Sequence, residues 1–455
     1  MMKINYINLS AKIFVLLMVT TWFQSCSEDD SIKDDNQIIV EDPVIEDPDN
    51  EDPTNEDPEF TPEGVVEVLN ADKIDDNYIL VNDAAANRVF LMNKEARLLH
   101  EWPLTNNIGN DVFLLPNGKL LGSLEADDPQ IPLGGKGGKL QFIAPDGTVE
   151  WNFLYSSVEG ETHHDAELLP NGNIIAMVWG KRTTEDALQN GFMLANDVVV
   201  ESIIEVDPTT DEIVWEWHSW DHLIQDFDET KDNYGLISEH PEKIDINYFV
   251  GLEGAADTEE DIMHANGIAY DEINDVILLS VNIYSEIWVI DHSTSAEEAA
   301  SQSGGTYGKG GDLIYRFGNP EAYKNPEGTR LFHNNHFPNL LEGEDQGKLL
   351  VFSNGNDILQ SAVYELQLPD VYELQPNSNN EPEITWSFTD TDLYSGKVSG
   401  AVPLPNGNVL ITEGDFGFWE VTRDSEVVWK FSTEGFFWRG YHYSKSAPEI
   451  LALDL

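Results

Sequence analysis

Val149-Glu150-Trp151-Asn152-Phe153 is one of six stretches that decide the fold, and each joins apolar residues to an aromatic-x-aromatic end. The other five copies are Leu98-Leu99-His100-Glu101-Trp102, Val214-Trp215-Glu216-Trp217, Ile314-Tyr315-Arg316-Phe317, Ile384-Thr385-Trp386-Ser387-Phe388 and Val428-Trp429-Lys430-Phe431. The first of these is degenerate, because His100 stands in an aromatic place. Six copies of one closing strand indicate a repeat architecture.

A second motif opens several of the repeats. Leu-Pro-Asn-Gly occurs at residues 115–118, 169–172 and 404–407, each time between apolar runs. Asn-Gly favours the two-residue turn of a β-hairpin, because both central residues take positive φ. A hairpin followed by a closing strand makes one four-stranded blade, so the sequence predicts an all-β, six-bladed β-propeller. Seven blades or another circular closure remain alternatives, and residues 438–455 are expected to pair with the first blade.

The charge of the chain restricts its partners. Among 455 residues, 24 Lys and Arg stand against 84 Asp and Glu, a formal net charge of −60. Nucleic acid is excluded as a partner, because its binding needs a basic face. An anionic substrate would need local positive groups to overcome this field.

The N-terminus reads as an export signal. Lys3 and Lys12 precede the apolar run of residues 13–19, which is too short to span a membrane and fits a signal peptide. Phe23-Gln24-Ser25-Cys26 resembles a bacterial lipoprotein cleavage site with Cys26 as the lipidated residue, and the acidic residues after it resemble the surface-export signal of Bacteroidetes lipoproteins. This resemblance implies an outer-membrane lipoprotein, exposed at the cell surface, that touches the membrane through its lipid anchor only.

The rest of the chain divides at a change of composition. We predict a signal peptide at 1–25, a lipidated cysteine and acidic, Pro-rich linker at 26–62, and the propeller at 63–455. Glu-Asp-Pro recurs four times in the linker, and like charges with proline keep such a segment extended and without a core. Cys26 is the single cysteine, so the mature body has no thiol for a disulfide, a nucleophile or a zinc–sulfur site.

Histidines recur at equivalent places in three repeats. His163-His164, His264 and His336 each stand just upstream of an apolar strand. In a propeller the first strand of each blade lines the channel, so these side chains are expected to converge there, with Asn110 and Ser399-Gly400 at the corresponding places of two further blades. His163 and His164 are adjacent and would face opposite sides of a strand, so only one, His164 in our prediction, faces the channel.

Converging imidazoles suit three kinds of chemistry: proton transfer, nucleophilic attack and metal ligation. Zinc held by three histidines is one hypothesis that the residue types allow. A polysaccharide hydrolase or lyase that uses these histidines, with or without a metal, is another. A third is a non-catalytic surface propeller that binds glycans or proteins.

These histidines and the stretches around them resemble the bacterial arylsulfotransferase family, enzymes that move sulfuryl groups between phenols without a nucleotide sulfate donor. The matching stretches are 163–173, His264-Ala265-Asn266, Ser280, Ile287-Trp288-Val289-Ile290-Asp291, 311–318, Asn335-His336 and Val351-Phe352-Ser353-Asn354-Gly355. The resemblance implies a six-bladed propeller that binds phenols and aryl sulfates and reacts by a ping-pong mechanism. It implies that His336 is the nucleophile, which forms a sulfohistidine. It further implies that His264, Asn266 and one of His163 and His164 hold the sulfate oxygens and assist the leaving phenolate.

The chain departs from the family at one position. The family carries an arginine after the His-x-Asn strand, where this chain has Asn282. We expect Asn282 and Asn335, the residue before His336, to line the substrate site, and another cation to supply the missing charge. The candidate cations are Arg316, Lys181, Arg182, Lys397 and Arg439, of which Arg316 also fits an ion pair between blades.

No resident cofactor is expected, with one reservation about calcium. Residues 226–235 carry spaced oxygen ligands loosely like a calcium loop but lack the closing bidentate glutamate, so a solvated loop is the favoured interpretation. His222 and His292 lie near insertions and are interpreted as structural.

Overall fold

The computed structural model describes residues 60–252 and 260–455, without the side chain of Asn110. The predicted signal peptide, Cys26 and the predicted linker as far as residue 59 lie outside these residues. The described part contains six antiparallel sheets whose first strands neighbour one another in a ring, so the predicted six-bladed propeller is confirmed. We number the blades in chain order and list the strands of each from the channel outward.

Blade 1 consists of Phe437–Tyr443, Tyr78–Asp83, Arg88–Met92 and Leu98–Trp102. Blade 2 consists of Ile108–Leu114, Leu120–Glu125, Gly138–Ile143 and Val149–Leu154. Blade 3 consists of Gly160–Leu168, Ile174–Arg182, Val198–Asp207 and Glu212–His218. Blade 4 consists of Ala265–Asp271, Val276–Val281, Glu286–Asp291 and Tyr315–Phe317. Blade 5 consists of Asn335–Leu340, Lys348–Ser353, Ala362–Gln367 and Glu383–Phe388. Blade 6 consists of Gly400–Pro403, Val409–Glu413, Gly417–Val421, Val427–Ser432 and an added outer strand, Val65–Leu69.

Both ends of the described chain close the ring. The C-terminal strand Phe437–Tyr443 pairs with Tyr78–Asp83 as the channel strand of blade 1, as the sequence predicts. The N-terminal strand Val65–Leu69 pairs with the outer strand Val427–Ser432 of blade 6. Closure in both directions covers edges that would otherwise be open to another chain.

The closing motif makes the same kind of hydrogen bond to the following blade in all six blades. The first ring of each motif offers its N–H or O–H group to the loop between the third and fourth strands of the following blade. The pairs are His100 with Pro145 O (3.1 Å), Trp151 with Asp211 (2.8 Å), Trp215 with Thr294 (3.3 Å), Tyr315 with Asn380 O, Trp386 with Arg423 O (2.9 Å) and Trp429 with Lys94 O (2.8 Å). The imidazole of His100 therefore makes the same contact as the indoles, which explains the degenerate copy.

The largest insertions lie between blades 3 and 4 and inside blade 4, as the intervals between motifs predict. The first holds a short parallel pair, Leu223–Ile224 with Ile244–Asp245, and three 3-10 helices, Ser219–His222, Ile237–Glu239 and Phe249–Gly251. The remaining short helices are Thr184–Gln189, Ala296–Ala299, Pro320–Tyr323, Gly343–Asp345 and Pro448–Leu451. None of the helices in the described residues is long and apolar enough to cross a membrane.

Candidate active site

Three of the predicted histidines meet at the entrance of the channel. His164 lies within the first strand of blade 3, His264 directly precedes that of blade 4, and His336 lies in that of blade 5. The ring centroids of His164 and His264 are 4.9 Å apart, with the rings nearly perpendicular. Burial lowers the pKa of His336, and the nearby charge of His264 acts in the same direction. Residues separated by up to 172 positions in the chain are thus gathered at one place, as the repeat positions predict.

The backbone is unusual at these positions. His164 and His264 have φ of 48° and 53°, and Phe337, which follows His336, has φ of 53°. Each of the three strands also carries a β-bulge here. A non-glycine residue in the left-handed region costs about 1–3 kcal/mol and persists where the surroundings over-determine it, often at functional sites. The bulges turn the histidine side chains towards the channel and interrupt the regular pairing between strands there.

The surroundings of His336 hold its ring as a neutral imidazole. Its Nδ1 lies 2.6 Å from Oδ1 of Asn354, whose own amide nitrogen donates to the carbonyls of Ser395 (2.9 Å) and Val398 (3.1 Å). Because the amide nitrogen is committed to those carbonyls, Oδ1 must accept, and Nδ1 of His336 must carry the proton. The lone pair is then on Nε2, to which no described residue gives a hydrogen bond. Burial lowers the pKa of His336 to about 3, and the charges of His264 and Arg439 act in the same direction.

His264 has the opposite character. Its Nδ1 lies 2.6 Å from Oδ2 of Asp261, and the backbone N–H groups of Met263 and His264 orient the other carboxylate oxygen. Burial opposes the charged ring, but the charge and hydrogen bond of Asp261 outweigh it and raise the pKa of His264 above its ordinary value. A histidine whose surroundings favour the imidazolium therefore stands beside a neutral imidazole, which places positive charge next to the lone pair of His336.

The expectation that His163 and His164 face opposite sides is wrong. Their Nδ1 atoms lie 2.9 Å apart, because the positive φ of His164 and the bulge turn the second ring back towards the first. His164 is the one that contacts His264, and the edge of Trp438 also meets it at 5.3 Å between ring centroids. His163 is fully buried, stacked on Trp179, and both of its nitrogens are engaged. The structure therefore contradicts a direct contact between His163 and a substrate.

The three predicted asparagines differ in their availability. Asn266 donates to the carbonyl of Asn335 (2.7 Å), and its own Oδ1 is buried with no hydrogen-bond partner among the described residues. Asn282 lies beside His264, to whose carbonyl its backbone N–H donates (3.1 Å). Asn335 is fully buried, and both hydrogens of its amide are taken by Ser280 and the carbonyl of Glu286. The amide hydrogens of Asn335 are therefore not available to a substrate, while its Oδ1, like that of Asn266, has no hydrogen-bond partner among the described residues.

Arg316 is the clearest correction among the predicted substrate-binding residues. Its guanidinium forms two hydrogen bonds with the carboxylate of Glu286 and one with the carbonyl of Lys243 (2.8 Å), and it lies 4.7 Å from the ring centre of Tyr323. The side chains of Arg316 and Glu286 are both 0% exposed. An arginine with its donors satisfied in a buried ion pair has nothing left for a sulfate, so the alternative interpretation of an ion pair holds.

Of the other candidate cations, Arg439 lies deepest in the channel. Its Nη1 lies 2.7 Å from Asp165 and 3.2 Å from Asp111, and its guanidinium carbon sits 4.0 Å from the ring centre of Phe337. Nη2 donates to the carbonyl of Asn266. Burial disfavours the charge, but Asp165 and Asp111 outweigh it and raise the pKa of Arg439. Its charge is therefore shared with two carboxylates.

Lys397 lies closer to the entrance. It is exposed, with Nζ 4.9 Å from the ring centre of Phe436, which in turn contacts Trp438 beside His164. The residue after it, Val398, supplies a carbonyl that positions Asn354. Lys181, in contrast, is paired with Glu260 at 2.7 Å. Arg182 lies over Trp220.

A cavity of about 720 Å³ occupies the other end of the channel. Its lining includes Asp165, Phe337 and Arg439, and continues along the channel strands to Tyr270 and Leu340. The histidines are not part of this lining, because the Arg439 ion pairs lie between them and the cavity.

Two carboxylates of the predicted calcium loop have partners within the protein. Within residues 226–235, Asp228 accepts from the N–H and hydroxyl of Thr230, and Asp226 pairs with Lys324 at 2.7 Å. In the part of the chain that the structure describes, no group of three or more His, Cys, Asp or Glu side chains is placed to hold a metal ion. His222 is held by Asp312 and the carbonyl of Ala299, and His292 by Glu205 and Asp275, in agreement with their structural interpretation.

Three residues of the site were missed by sequence reasoning. Asp261 and Asn354 orient His264 and His336, and Glu201 accepts from Ala265 N (2.8 Å) while it contacts His163 (2.9 Å). The sequence contains features that indicate two of these residues. Asp261 precedes His264 by three residues, and Glu201 directly follows Val198-Val199-Val200 within a strand, a place typical of a buried carboxylate with a partner.

Comparison with known proteins agrees with the geometry. The family model of Arylsulfotransferase (ASST) matches residues 147–435, more than half of the chain. The chain belongs to the arylsulfotransferase family. Membership supports arylsulfotransferase activity in general and implies aryl sulfates and phenols as substrates.

The other comparisons of this chain found only distant likenesses. No curated protein matches the chain. The β-propeller domain of Myceliophteria thermophila Cps50 (Swd1) is 11% identical, with a TM-score of 0.42 over 85% of this chain and 98% of that one. The WD40 domain of Toxoplasma gondii coronin is 6% identical, with a TM-score of 0.37 over 82% of this chain and 67% of that one. Likenesses this distant carry no argument about function.

Proposed function

We propose that the protein is an aryl-sulfate sulfotransferase that needs no nucleotide donor and works by a ping-pong mechanism through a sulfohistidine at His336. One observation carries the proposal: a neutral imidazole with its proton held on Nδ1 stands beside the imidazolium of His264. A weak base with an exposed lone pair is a suitable nucleophile, and the neighbouring charge stabilises oxygens that become more negative during the reaction.

In the first half-reaction Nε2 of His336 attacks the sulfur of an aryl sulfate. An N–S bond forms, the bond from sulfur to the aryl oxygen breaks, and its electron pair leaves with that oxygen. In the second half-reaction the oxygen of a phenol attacks the same sulfur, the N–S bond breaks and its electron pair returns to Nε2. Each step is a single displacement, so one pocket serves donor and acceptor in turn.

The surrounding residues provide charge and hydrogen bonds. His264 is the nearest cation and takes the place of the family arginine, while the amides of Asn266 and Asn282 donate to the remaining sulfuryl oxygens. His164 contacts His264 and assists the departure of the aryl oxygen. The net charge of −60 also favours a singly charged aryl sulfate over a nucleotide donor that carries several negative charges.

The test is release of p-nitrophenol from p-nitrophenyl sulfate, with and without added phenol. We expect release that depends on phenol, its loss in His336→Ala, and the mass of one SO₃ group on the peptide that contains His336 when phenol is omitted. His240→Ala, at an exposed histidine paired with Glu242, is the matched control and should keep full activity. Absence of release from every aryl sulfate tested would contradict the proposal and favour a propeller that only binds glycans or proteins.

The proposal includes metal independence and a surface location. EDTA should leave the activity unchanged, because the proposed chemistry needs no metal ion. Cys26 in its signal context supports an outer-membrane lipoprotein at the cell surface. Labelling with radioactive palmitate should mark the wild-type protein and not Cys26→Ser, and protease added to intact cells should digest the propeller. Protection from the protease would place the protein on the periplasmic face.

A further inference from the structure

A chain of hydrogen bonds runs from a buried carboxylate to the edge of the active site. Oε2 of Glu201 lies 2.9 Å from Nε2 of His163, and Nδ1 of His163 lies 2.9 Å from Nδ1 of His164. The three side chains are at most 3% exposed. His163 is stacked on Trp179, with ring centroids 4.2 Å apart and planes 7° apart, so its ring is held in the plane that both bonds need.

Only two proton arrangements satisfy both bonds with neutral imidazoles. In the first, the carboxyl group of Glu201 donates to His163 Nε2, His163 Nδ1–H donates to His164, and His164 carries its proton on Nε2. In the second, His163 Nε2–H donates to the carboxylate, His164 Nδ1–H donates to His163, and His164 Nε2 has a lone pair. Moving a proton along the chain therefore converts His164 Nε2 from a donor into an acceptor.

We propose that Glu201, His163 and His164 form a proton relay that stores on Glu201 the proton exchanged between the two half-reactions. The inference rests on the proposed sulfotransferase function and deepens it. His164 is the catalytic residue of the three, because it meets the aryl oxygen. His163 and Glu201 are positioning residues, which act through His164 and touch no substrate.

The proton balance closes without any outside acid or base. When the aryl oxygen leaves sulfur, it takes the proton from Nε2 of His164. Nδ1 of His164 then takes a proton from Nδ1 of His163. Finally, Nε2 of His163 takes the proton of the Glu201 carboxyl group. The products are a neutral phenol, sulfohistidine and a carboxylate. In the second half-reaction the acceptor phenol gives its proton to His164 Nε2, and the same steps run in reverse until Glu201 is protonated again.

The surroundings favour this direction of transfer. Burial, with the charge of Asp261, raises the pKa of Glu201 well above its ordinary value, so the resting carboxyl group holds its proton. Burial lowers the pKa of both His163 and His164, and the charge of His264 adds to this, so neither ring becomes an imidazolium. The other titratable groups that face the relay are Asp261 and Asp165 at His163, and Arg439 and the neutral His336 at His164.

Glu201→Gln tests the relay with little change of shape. Its carbonyl oxygen can still accept from Ala265 N, and its NH₂ group then donates permanently to His163 Nε2. His164 is thereby locked with its proton on Nε2 and cannot pass it on. Phenol release in the first half-reaction, measured as the burst without acceptor, should fall by about 10²–10⁴-fold for phenyl sulfate, the usual value of general acid catalysis. The burst from p-nitrophenyl sulfate should persist, because p-nitrophenolate leaves without a proton.

Two further variants separate the relay from a structural effect. His163→Phe keeps a ring on Trp179 but breaks the relay, and should show the same dependence on the leaving group. Glu161→Gln changes another buried carboxylate, which accepts from Gln130 N and Ser156, and should affect neither donor. Equal losses for phenyl sulfate and p-nitrophenyl sulfate in Glu201→Gln would overturn the relay.

A second measurement is independent of activity. Nitrogen-15 chemical shifts of the imidazoles should show His164 passing from the Nε2–H to the Nδ1–H tautomer as alkaline pH removes the proton of Glu201, and remaining Nε2–H in Glu201→Gln. If the wild type transfers no sulfuryl group, the proposed function fails while these shifts still decide the relay. A wild-type His164 that keeps one tautomer throughout would overturn the relay even in an active enzyme.

Discussion

The Nδ1 of His336 lies 2.6 Å from Oδ1 of Asn354, an asparagine whose amide nitrogen is committed to two backbone carbonyls. Asparagine orients the ring without adding a charge, whereas a carboxylate in the same place, such as Asp261 beside His264, favours the imidazolium. Two histidines in one site thus receive opposite protonation states from two different partners.

Asn354→Ala should lower kcat for p-nitrophenyl sulfate by about 10²-fold, the usual cost of misplacing a reacting group, with little change in KM. The ring of His336 loses the contact that keeps its lone pair on Nε2, while substrate binding is left intact. Steady-state kinetics measure this. Asn325→Ala removes a comparably buried asparagine, which donates to the carbonyl of Ser378, and serves as the control. A change in KM alone would show that Asn354 acts in binding.

Activity towards p-nitrophenyl sulfate should be lost on the alkaline side, above the ordinary histidine value of 6.5. The pKa of His264 is raised, so its imidazolium persists above that ordinary value and disappears as pH rises through the pKa of the folded protein. Since p-nitrophenolate needs no proton, this limb reports His264 alone. Burial lowers the pKa of His336 to about 3, so no acid limb is expected near neutrality.

Asp261→Asn should move that alkaline limb to lower pH, because the carboxylate that sustains the imidazolium is gone while burial still opposes it. A pH–rate profile measures the shift. Glu242→Gln, next to the exposed His240, should leave the profile unchanged. A limb at the same pH in Asp261→Asn would mean that another group titrates.

Lys397→Gln should raise the KM for aryl sulfates about fivefold without lowering kcat, which corresponds to about 1 kcal/mol for a charge near a sulfate in water. The effect should shrink at high salt, because exposed charges are screened. Lys445→Gln, an exposed lysine paired with Asp76, is the control. Equal KM values for the two variants would exclude Lys397 from substrate binding.

Lys94→Met should lower the free energy of unfolding by about 3–5 kcal/mol, the cost of leaving a buried charge without its partner. Lys94 and Glu420 join blades 1 and 6 at 2.6 Å, and both side chains are at most 1% exposed. Urea unfolding measures the change. Lys445→Met breaks an exposed pair and should cost about 0–1 kcal/mol. A loss of the same size in both variants would show that ring closure does not depend on the buried pair.

The closing motif by itself determined the architecture of this protein. Each copy, such as Trp151 or Trp429, predicts an outer strand, and six copies predict six blades because a strand pattern and its repeat are local properties of the chain. The gathering of His164, His264 and His336 followed from the same count, since equivalent positions of a ring meet near its axis. The family resemblance added the role proposed for His336.

Only the tertiary structure decided the chemical state of those histidines. Asp261, Asn354 and Glu201 set their protonation through hydrogen bonds of 2.6–2.9 Å. Two of these side chains are oriented in turn by groups outside their own blade, Asn354 by the carbonyls of Ser395 and Val398 and Glu201 by the N–H of Ala265. The positive φ that turns His164 towards His163 is likewise imposed by its surroundings, because a regular strand would have parted the two rings. Arg316 shows the same limit: its sequence position is compatible with a site, but burial beside Glu286 commits it to an ion pair.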